Sequence, residues 1–519
     1  MAAEFALEPA IEPDALPADF IRGCLEAESE GDGLLFDRLF ADRVRYSVNE
    51  SAWYVWSGTC WRRDEKRLVF AAISHVVDCY GRLLLELAAE NQSATPETAE
   101  ALRRASAKKA QRIERRIKYL RGVAGRNACL EFAWQGRPVA VNSSAFNADP
   151  WKLGVPNGVV DLRTGMLLKA TPDDMITRQC GCPYVPWDDL PQERQDEVWA
   201  FFDQIFDNDR EKIGFVQRLL GQALVGKVIC HVFPFWLGRR GRNGKSSLCN
   251  LLLHILGDYG ITFRHEMLFE QFGASASGID PDMVDLDGAR LAISSEVRDG
   301  AVFSAQRIKL LTGGDKLKGR KPFEDFRTFT PSHSLIMLGN HEPTAPSGDD
   351  AFWSRTFLIY FPMRFVPDPD PAKKELPLVH NYEDKLKENA TAFLAWMVRG
   401  CLEFQMDGCR LRPPESVLKV TEAYKDDSDW MGQFLAACTE RRESAEIRSS
   451  TLYNAFALWY AENINNNRKF LPSQTKFSKK MRELGEFQKI HNADGNYFRG
   501  LELSAVWERR AWENEEAGA

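Results

Sequence analysis

The 519-residue chain has no surplus of positive charge: 67 Lys and Arg stand against 74 Asp and Glu, a formal net charge of −7. No global field therefore holds it on a nucleic acid or an anionic membrane, and any polyanion must be met by local basic patches. It lacks an uninterrupted apolar run near the roughly 18 residues of a membrane span, and Met1 to Glu4 form neither a basic nor an apolar leader. The expectation is a cytoplasmic protein, bacterial or inside a host cell, with no membrane partner. A zinc pattern is also missing. Eleven Cys are scattered, and the close pair Cys180 and Cys182 has no second pair or neighbouring His at ligand spacing, so the thiols read as reduced. Apolar residues are not scarce: 44 % apolar and 27 % charged exclude a wholly disordered or collagen-like chain, and the length suggests about three domains.

From Glu4 to Asp32 acids face a single cation, Arg22, with few large apolar residues. Residues 1–34 are therefore expected to be a disordered acidic arm with at most one short helix after Pro17. From 35 to 190 the pattern is that of an α+β domain. Aromatic strands flank Ser57 and Gly58, and a second hairpin signal spans 157–165. Between them a basic helix from Arg103 to Arg126 has Ile113, Ile117 and Leu120 at helical spacing. Its cations are either a solvated face or a polyanion contact. Residues 191–230 read as a helical linker or oligomerisation segment.

The apolar run 232–237 then leads into Gly238, Arg239, Arg240, Gly241, Arg242, Asn243, Gly244, Lys245, Ser246 and Ser247, followed by a leucine-rich helix. The Pro at 234 suggests that the strand begins at Phe235. Strand, glycine-rich loop, Gly-Lys-Ser and helix form the context of a phosphate-binding loop. Glycines let backbone N–H groups close on phosphate oxygens, Lys245 supplies a charge at the β- and γ-phosphates, and Ser246 offers a hydroxyl to Mg²⁺. The usual earlier glycine position holds Arg239, with Gly238 one residue further back, so the loop is expected to be one residue longer at its start. Downstream, the strand 290–294 leads to Glu296, a carboxylate placed for Mg²⁺ or the attacking water. The strand 334–339 ends at Asn340, whose amide can orient water, and Arg355 follows a polar loop, fit for an arginine finger or a surface ion pair.

These residues resemble the superfamily 3 helicases of the AAA+ class, in the poxvirus, phage and plasmid primase-helicase branch. The resemblance is carried by 241–246, Ser295 and Glu296, 308–315, 329–331, 339–343 and 352–355, in matching order, and by 148–165 upstream. It implies ATP and Mg²⁺ as cofactors, a homo-hexameric ring, single-stranded and forked DNA as partners, and a separate primase or other replication proteins. It also implies that residues 231–400 form the helicase domain, a P-loop AAA+ core. Residues 241–247 would hold the nucleotide and Ser246 and Glu296 the Mg²⁺. Lys245, Glu296, Asn340 and Arg355 would be catalytic, with Arg355 given to the neighbouring subunit. Many relatives of the wider superfamily have two adjacent acids where this chain has Ser295 and Glu296, so whether Glu296 binds metal, polarises water or does both stays open. The segment 316–327 falls where the family places its channel hairpin. Lys318, Arg320, Lys321 and Phe323 there suit backbone tracking and stacking, the alternative being a solvated basic loop.

At the C-terminus, residues 425–510 read as helices followed by a two-stranded wing, a winged-helix-like domain. Its basic helix carries Lys476, Lys479 and Lys480, either as a DNA reader or as a solvated face on a packing module. No polymerase-type acidic constellation stands out in the first 190 residues, so no primase is expected. The whole reads as a DNA-replication helicase, the alternative being an AAA+ replication initiator without processive unwinding.

Overall fold

The computed structural model describes residues 7–92, 99–270, 281–294, 301–320, 326–346, 348–464, 471–492 and 494–518. It is a mixed α/β structure built around several hydrophobic cores.

The first core lies among helices. These are α1 (Ala18–Glu26), α2 (Glu28–Phe40), the short α3 (Leu68–Ala71), α4 (Ser74–Gln92), α5 (Ala99–Arg121) and α6 (Val123–Trp134). Beside them lies a sheet of β1 (Val44–Ser47), β2 (Ala52–Trp56), β3 (Trp61–Arg63) and β4 (Ala140–Val141), in the order β3-β2-β1-β4. The segment expected as a disordered arm is, over its described residues, part of this core. Ile21, Cys24 and Leu25 of α1 and Leu35, Phe36, Leu39 and Phe40 of α2 supply an apolar face, while Glu26, Glu28 and Glu30 are exposed. The exception is Asp32, fully buried, which accepts from the Tyr80 hydroxyl at 2.8 Å and is ion-paired with Arg116. Burial nevertheless pushes its carboxyl up. Among the described residues one stretch, Leu68–Glu90, is long and apolar enough to cross a membrane; Val69, Ile73, Val76 and Tyr80 of it are buried in this core.

The hydrophobic cores divide the chain elsewhere than the composition suggested. β5 (Lys152–Val155), β6 (Gly158–Asp161) and β7 (Met166–Leu168) form an antiparallel meander. Its Leu153, Val155 and Val160 join the core of the following module, not that of the first helices. Nor are residues 191–230 a linker. α7 (Gln192–Phe206) and α8 (Arg210–Gln222) bury Val198, Phe201, Phe202, Ile213 and Leu220 in that same core. α8 crosses a later helix so closely that a Cβ on Gly221 would lie 2.2 Å from the Cys401 backbone nitrogen.

The central element is a parallel sheet of β8 (Phe233–Leu237), β9 (Gly260–Thr262), β10 (Leu291–Ser294), β13 (Ser334–Gly339) and β14 (Thr356–Tyr360), in the order β14-β8-β13-β10-β9. An antiparallel pair, β11 (Leu317–Gly319) and β12 (Arg327–Phe329), is inserted between β10 and β13. Alternate residues of β8 face opposite layers: Phe233, Phe235 and Leu237 one, Trp236 the other. Burial on both faces explains why the strand reads as one apolar run.

β8 begins at Phe233, two residues before the expected start. In a parallel strand successive N–H groups turn to alternate neighbours. Phe233 N–H donates toward the β14 side and Gly238 N–H toward the β13 side. Pro234 therefore faces β13, and pairing with β13 starts only at Phe235, so its missing N–H costs no ladder bond.

Around the sheet lie α9 (Lys245–Leu256), α10 (Ala305–Thr312), α11 (Asp350–Trp353), α12 (Tyr382–Glu388) and α13 (Ala390–Met406), with the parallel pair β15 (Arg364–Val366) and β16 (Glu375–Pro377). α14 (Glu415–Ser428) leads to a last module: α15 (Trp430–Cys438), β17 (Thr439–Arg448), α16 (Ser449–Asn463), α17 (Gln474–Glu483), β18 (Gln488–Asn492), β19 (Gly495–Leu503) and α18 (Ala505–Gly518). Its sheet order is β17-β19-β18, over a core of Phe434, Leu452, Phe456, Phe477 and Phe498.

Candidate nucleotide site and nucleic-acid surfaces

β8 runs straight into the glycine-rich loop, and α9 begins at Lys245. Gly244 takes φ +83° as the residue before the helix, a conformation that glycine adopts without a Cβ clash. Gly241 at +63° and Arg242 at +49° share the left-handed region, and the Arg242 carbonyl accepts from Phe365 N–H at 2.8 Å. The loop is thereby fixed to β15.

Lys245 is 5 % exposed, and its ammonium donates to three neutral oxygens: Gly238 O at 3.2 Å, Asn243 Oδ1 at 3.0 Å and Asn340 Oδ1 at 3.0 Å. No carboxylate offsets this burial in the hydrogen-bond set, so the ammonium is pushed down to about 8. Asn340 reaches the site because β13 lies beside β8 and both end at the same edge, with Gly339 paired to Leu237. The structure thus brings two sequence-selected residues, Lys245 and Asn340, into contact. Ser246 is exposed at the first turn of α9, and Ser247 is half-buried behind it.

Asn243 is buried, and its Nδ2 has no hydrogen-bond partner. A buried amide donor left open beside an ammonium and a helix N-terminus suits an anionic oxygen group. The donors present therefore fit a nucleotide phosphate, with Lys245, Asn243 and the amides of 241–246 to hold it. Ser246 could give its hydroxyl to a metal ion. Glu296, the acid expected to complete that metal site, lies outside the described residues.

Arg355 is placed elsewhere. Its carbonyl accepts from Phe233 N–H at 2.7 Å, at the start of β8, whereas the loop follows the end of that strand. About 16 Å of strand separates them, at about 3.3 Å per residue. Arg355 Nη1 donates to Ala351 O at 2.7 Å, and its buried Nε has no partner. Arg239, which sequence reasoning passed over, reaches Glu342 at 2.8 Å just beyond Asn340.

In the basic segment, β11 and β12 pair with Lys318 opposite Thr328. Lys318 and Arg320 lie over the ring of Phe326, at 4.5 and 4.9 Å, and that ring is half exposed. Lys321 and Phe323 lie outside the described residues. The aromatic seen among the cations is Phe326, and the signal for it is register: continuing the pairing places Phe326 opposite Arg320. At the hairpin base, Arg327 bridges Glu50 at 3.2 Å and Asp287 at 2.8 Å.

On α17, Phe477 and Met481 are buried while Lys476 and Lys479 are exposed. Lys479 lies 3.7 Å from Glu483. With Lys480 they border a cleft of about 1020 Å³ whose other wall holds Glu270, Glu342, Asp349 and Asp350.

Residues 33–207 match the family described as "D5 N terminal like". That span ends just past α7, consistent with α7 being no linker. The chain is 26 % identical over 324 residues to "Putative helicase L207/L206" of Acanthamoeba polyphaga mimivirus, covering 60 % of this chain and 33 % of that protein. It is 24 % identical over 385 residues to "Putative helicase 022R" of Frog virus 3, covering 61 % of this chain and 39 % of that protein. The chain thus spans between a third and two-fifths of the length of these relatives. Among solved structures, the NrS-1 C-terminal region (305-718) is 11 % identical with a TM-score of 0.40, covering 70 % of this chain and 85 % of that one, a likeness too slight to argue from. The chain is thus similar, over its N-terminal region, to the D5 N terminal like family and, over about 60 % of its length, to viral proteins named putative helicases.

Proposed function

We propose that the protein is an ATP-dependent DNA helicase motor acting as a ring, most simply a homo-hexamer, in the replication of a virus, phage, plasmid or related element. The observation that carries this reading is the contact of Lys245 with Asn340 at the edge where β8 and β13 end beside a glycine-rich loop. A cation for the β- and γ-phosphates and an amide to orient water then sit together. ATP with Mg²⁺ is the proposed substrate complex, with Ser246 and Glu296 as the metal's protein ligands. In hydrolysis, water attacks the γ-phosphorus, the bond to the bridging oxygen breaks, and charge grows on the departing oxygens. Lys245 would stabilise that charge. Arg355, about 16 Å of strand from its own loop, would serve the site of a neighbouring subunit.

The expected P-loop AAA+ core and winged-helix domain belong to the same proposal. The parallel order β14-β8-β13-β10-β9 supports the first. The sequence helix, strand, two helices and hairpin from α15 to β19 supports the second, with α17 as the helix that meets duplex DNA. The hairpin of β11 and β12 would track a single strand through Lys318, Arg320 and Phe326. A separate primase or other replication protein is the proposed partner, and the cytoplasm or another compartment of the infected cell is the proposed location.

A second reading, an AAA+ initiator without processive unwinding, is favoured by α17, a basic helix outside the motor sheet. The test is DNA-stimulated ATPase with measurement of oligomer mass, then strand separation on a fork. Hydrolysis stimulated by DNA in a hexamer that opens the fork is the expected result. ATPase without unwinding selects the initiator, and Lys245→Ala retaining wild-type ATPase overturns both.

A further inference from the structure

Helix α5 has no task in the proposed motor. Over Ala99–Arg121 it carries nine cations against two acids, Glu100 and Glu114, in a chain whose total charge is −7. Such concentration is not inherited from overall composition.

At about 100° per residue the buried line of α5 runs through Ser106, Ile113 and Leu120. Arg104, Lys108, Arg115 and Lys118 fall on the opposite side, within an arc of about 80°, and all four are exposed. From Arg104 to Lys118 the row is about 21 Å long, at about 1.5 Å per residue. Glu114 lies outside the arc. The flank nearest α1 and α2 is already engaged, with Arg116 on Asp32 and Arg112 on the Glu26 carbonyl.

Many exposed cations elsewhere have acid partners, as Arg22 has Asp19 and Lys419 has Glu415. Among the described residues Lys108, Arg115 and Lys118 have none. Three unpaired like charges held in one row repel one another, a cost that an opposite charge would relieve.

We infer that this face of α5 is a docking surface for the phosphate backbone of duplex DNA, separate from the hairpin and from α17. A rigid row of about 21 Å lying along a duplex spans a length of axis that carries about twelve phosphate charges over both strands, at one per 1.7 Å, of which the near side is within its reach. Single-strand sites interleave aromatic rings with cations. The row itself has none; beside it stands a single ring, Tyr119, 40 % exposed, with the Arg116 guanidinium 4.9 Å from its centroid, and no second ring on α5 interleaves with the cations. Contacts of this kind position a duplex without reading its bases.

The test is duplex binding by the full chain, followed by fluorescence anisotropy without nucleotide across a salt series. A chain with no ATPase would still give an answer, so failure here and failure of the helicase reading are distinguishable. Lys108→Ala, Arg115→Ala and Lys118→Ala together keep good helix formers at exposed positions. Affinity at low salt is expected to fall at least about tenfold, and the log–log salt slope to become shallower by up to about 2.7, three phosphates at about 0.9 each. The same decrement is expected in a background already carrying Lys476→Ala and Lys479→Ala. The charge-conserving set Lys108→Arg, Arg115→Lys and Lys118→Arg should retain wild-type binding. If the alanine set melts early, Gln at the same three positions reads the same loss of charge. Unchanged duplex affinity and slope, a loss confined to single strands, or equal loss in the charge-conserving set would each overturn the assignment.

Discussion

The ammonium of Lys245 donates to the side-chain oxygen of Asn340 at 3.0 Å, joining residues 95 positions apart. Lys245 opens α9 after the loop that follows β8, and Asn340 comes directly after β13, the strand beside β8, so each sets where the other can hold a phosphate or a water. Replacing Asn340 by Ala should leave binding of an ATP analogue within a few-fold of wild type. Turnover should fall by about 10² to 10³, as for loss of one preorganised polar group at a reacting centre. Asn340→Asp should do something different: a carboxylate beside Lys245 competes with the phosphates for the ammonium, so analogue affinity itself should drop. Calorimetric titration beside steady-state ATPase separates the two effects, and equal behaviour of the two variants would remove Asn340 from the site.

Lys245 also gives the chain a pH signature. Its ammonium is held at about 8 by burial, below the ordinary 10.5. Between those values the unfolded chain binds a proton that the folded chain does not, so this group makes stability rise with pH there. The whole gap corresponds to on the order of 3 kcal/mol. Lys245→Met should therefore lose ATPase while its stability relative to wild type is best near pH 7 and declines by up to that amount toward pH 10. Denaturant unfolding of both proteins at several pH values checks it, since other titrating groups cancel in the difference. A difference constant with pH would mean that the ammonium is not desolvated.

Why the loop around Lys245 was legible from local sequence, while the packing that brings Asn340 against it was not, follows from range. The glycine loop, the doubly buried strand and the helix start are local features spread over about fifteen positions. The adjacency of β8 and β13 is not local, and only sheet order places Asn340 beside Lys245. The acidic segment misled for the same reason. Its helices α1 and α2 have an apolar face, but the group that neutralises Asp32 is Arg116, 84 residues away. Polar composition likewise hid the packing of α7, although Val198, Phe201, Phe202 and Ile205 recur at helical spacing. In the hairpin the basic residues were evident, but the choice of Phe326 required the register of β11 against β12.

Arg355 yields a prediction about assembly. Its carbonyl is tied to the start of β8, and its Nε is buried without a partner. A finger supplied to a neighbour contributes about 10³-fold or more to turnover. Arg355→Ala and Lys245→Ala proteins should each be nearly inactive, and mixing them should restore part of the ATPase, because some interfaces then contain both groups intact. Mass spectrometry of the mixed assemblies establishes that the subunits exchange. Mixed assemblies without recovery at any ratio would show that Arg355 does not act across the interface.

The two proposed DNA-binding surfaces of the motor and the C-terminal module should fail differently. Lys318 and Arg320 share the Phe326 ring on a hairpin whose base, Arg327, is ion-paired to Glu50 and Asp287. That hairpin emerges between β10 and β13 of the parallel sheet, which in the proposed motor would let it pass motion to a strand. In the proposed motor its role is contact with DNA, not with nucleotide. Lys318→Ala with Arg320→Ala should therefore spare basal ATPase and lower its stimulation by single-stranded DNA, and Phe326→Ala should do the same by removing a stacking platform, about 1–3 kcal/mol per base. Lys476 and Lys479 lie instead on an exposed helix face next to a cleft walled by Glu270, Glu342, Asp349 and Asp350. Their removal should weaken duplex binding and flatten its salt slope by about 0.9 for each phosphate that is no longer neutralised, while a fork already loaded is still unwound. Raised ionic strength should mimic the second pair of substitutions more than the first, since stacking on Phe326 is not screened. Duplex affinity and salt dependence unchanged after removal of Lys476 and Lys479 would make α17 a packing helix, with its lysines serving the acidic wall across the cleft.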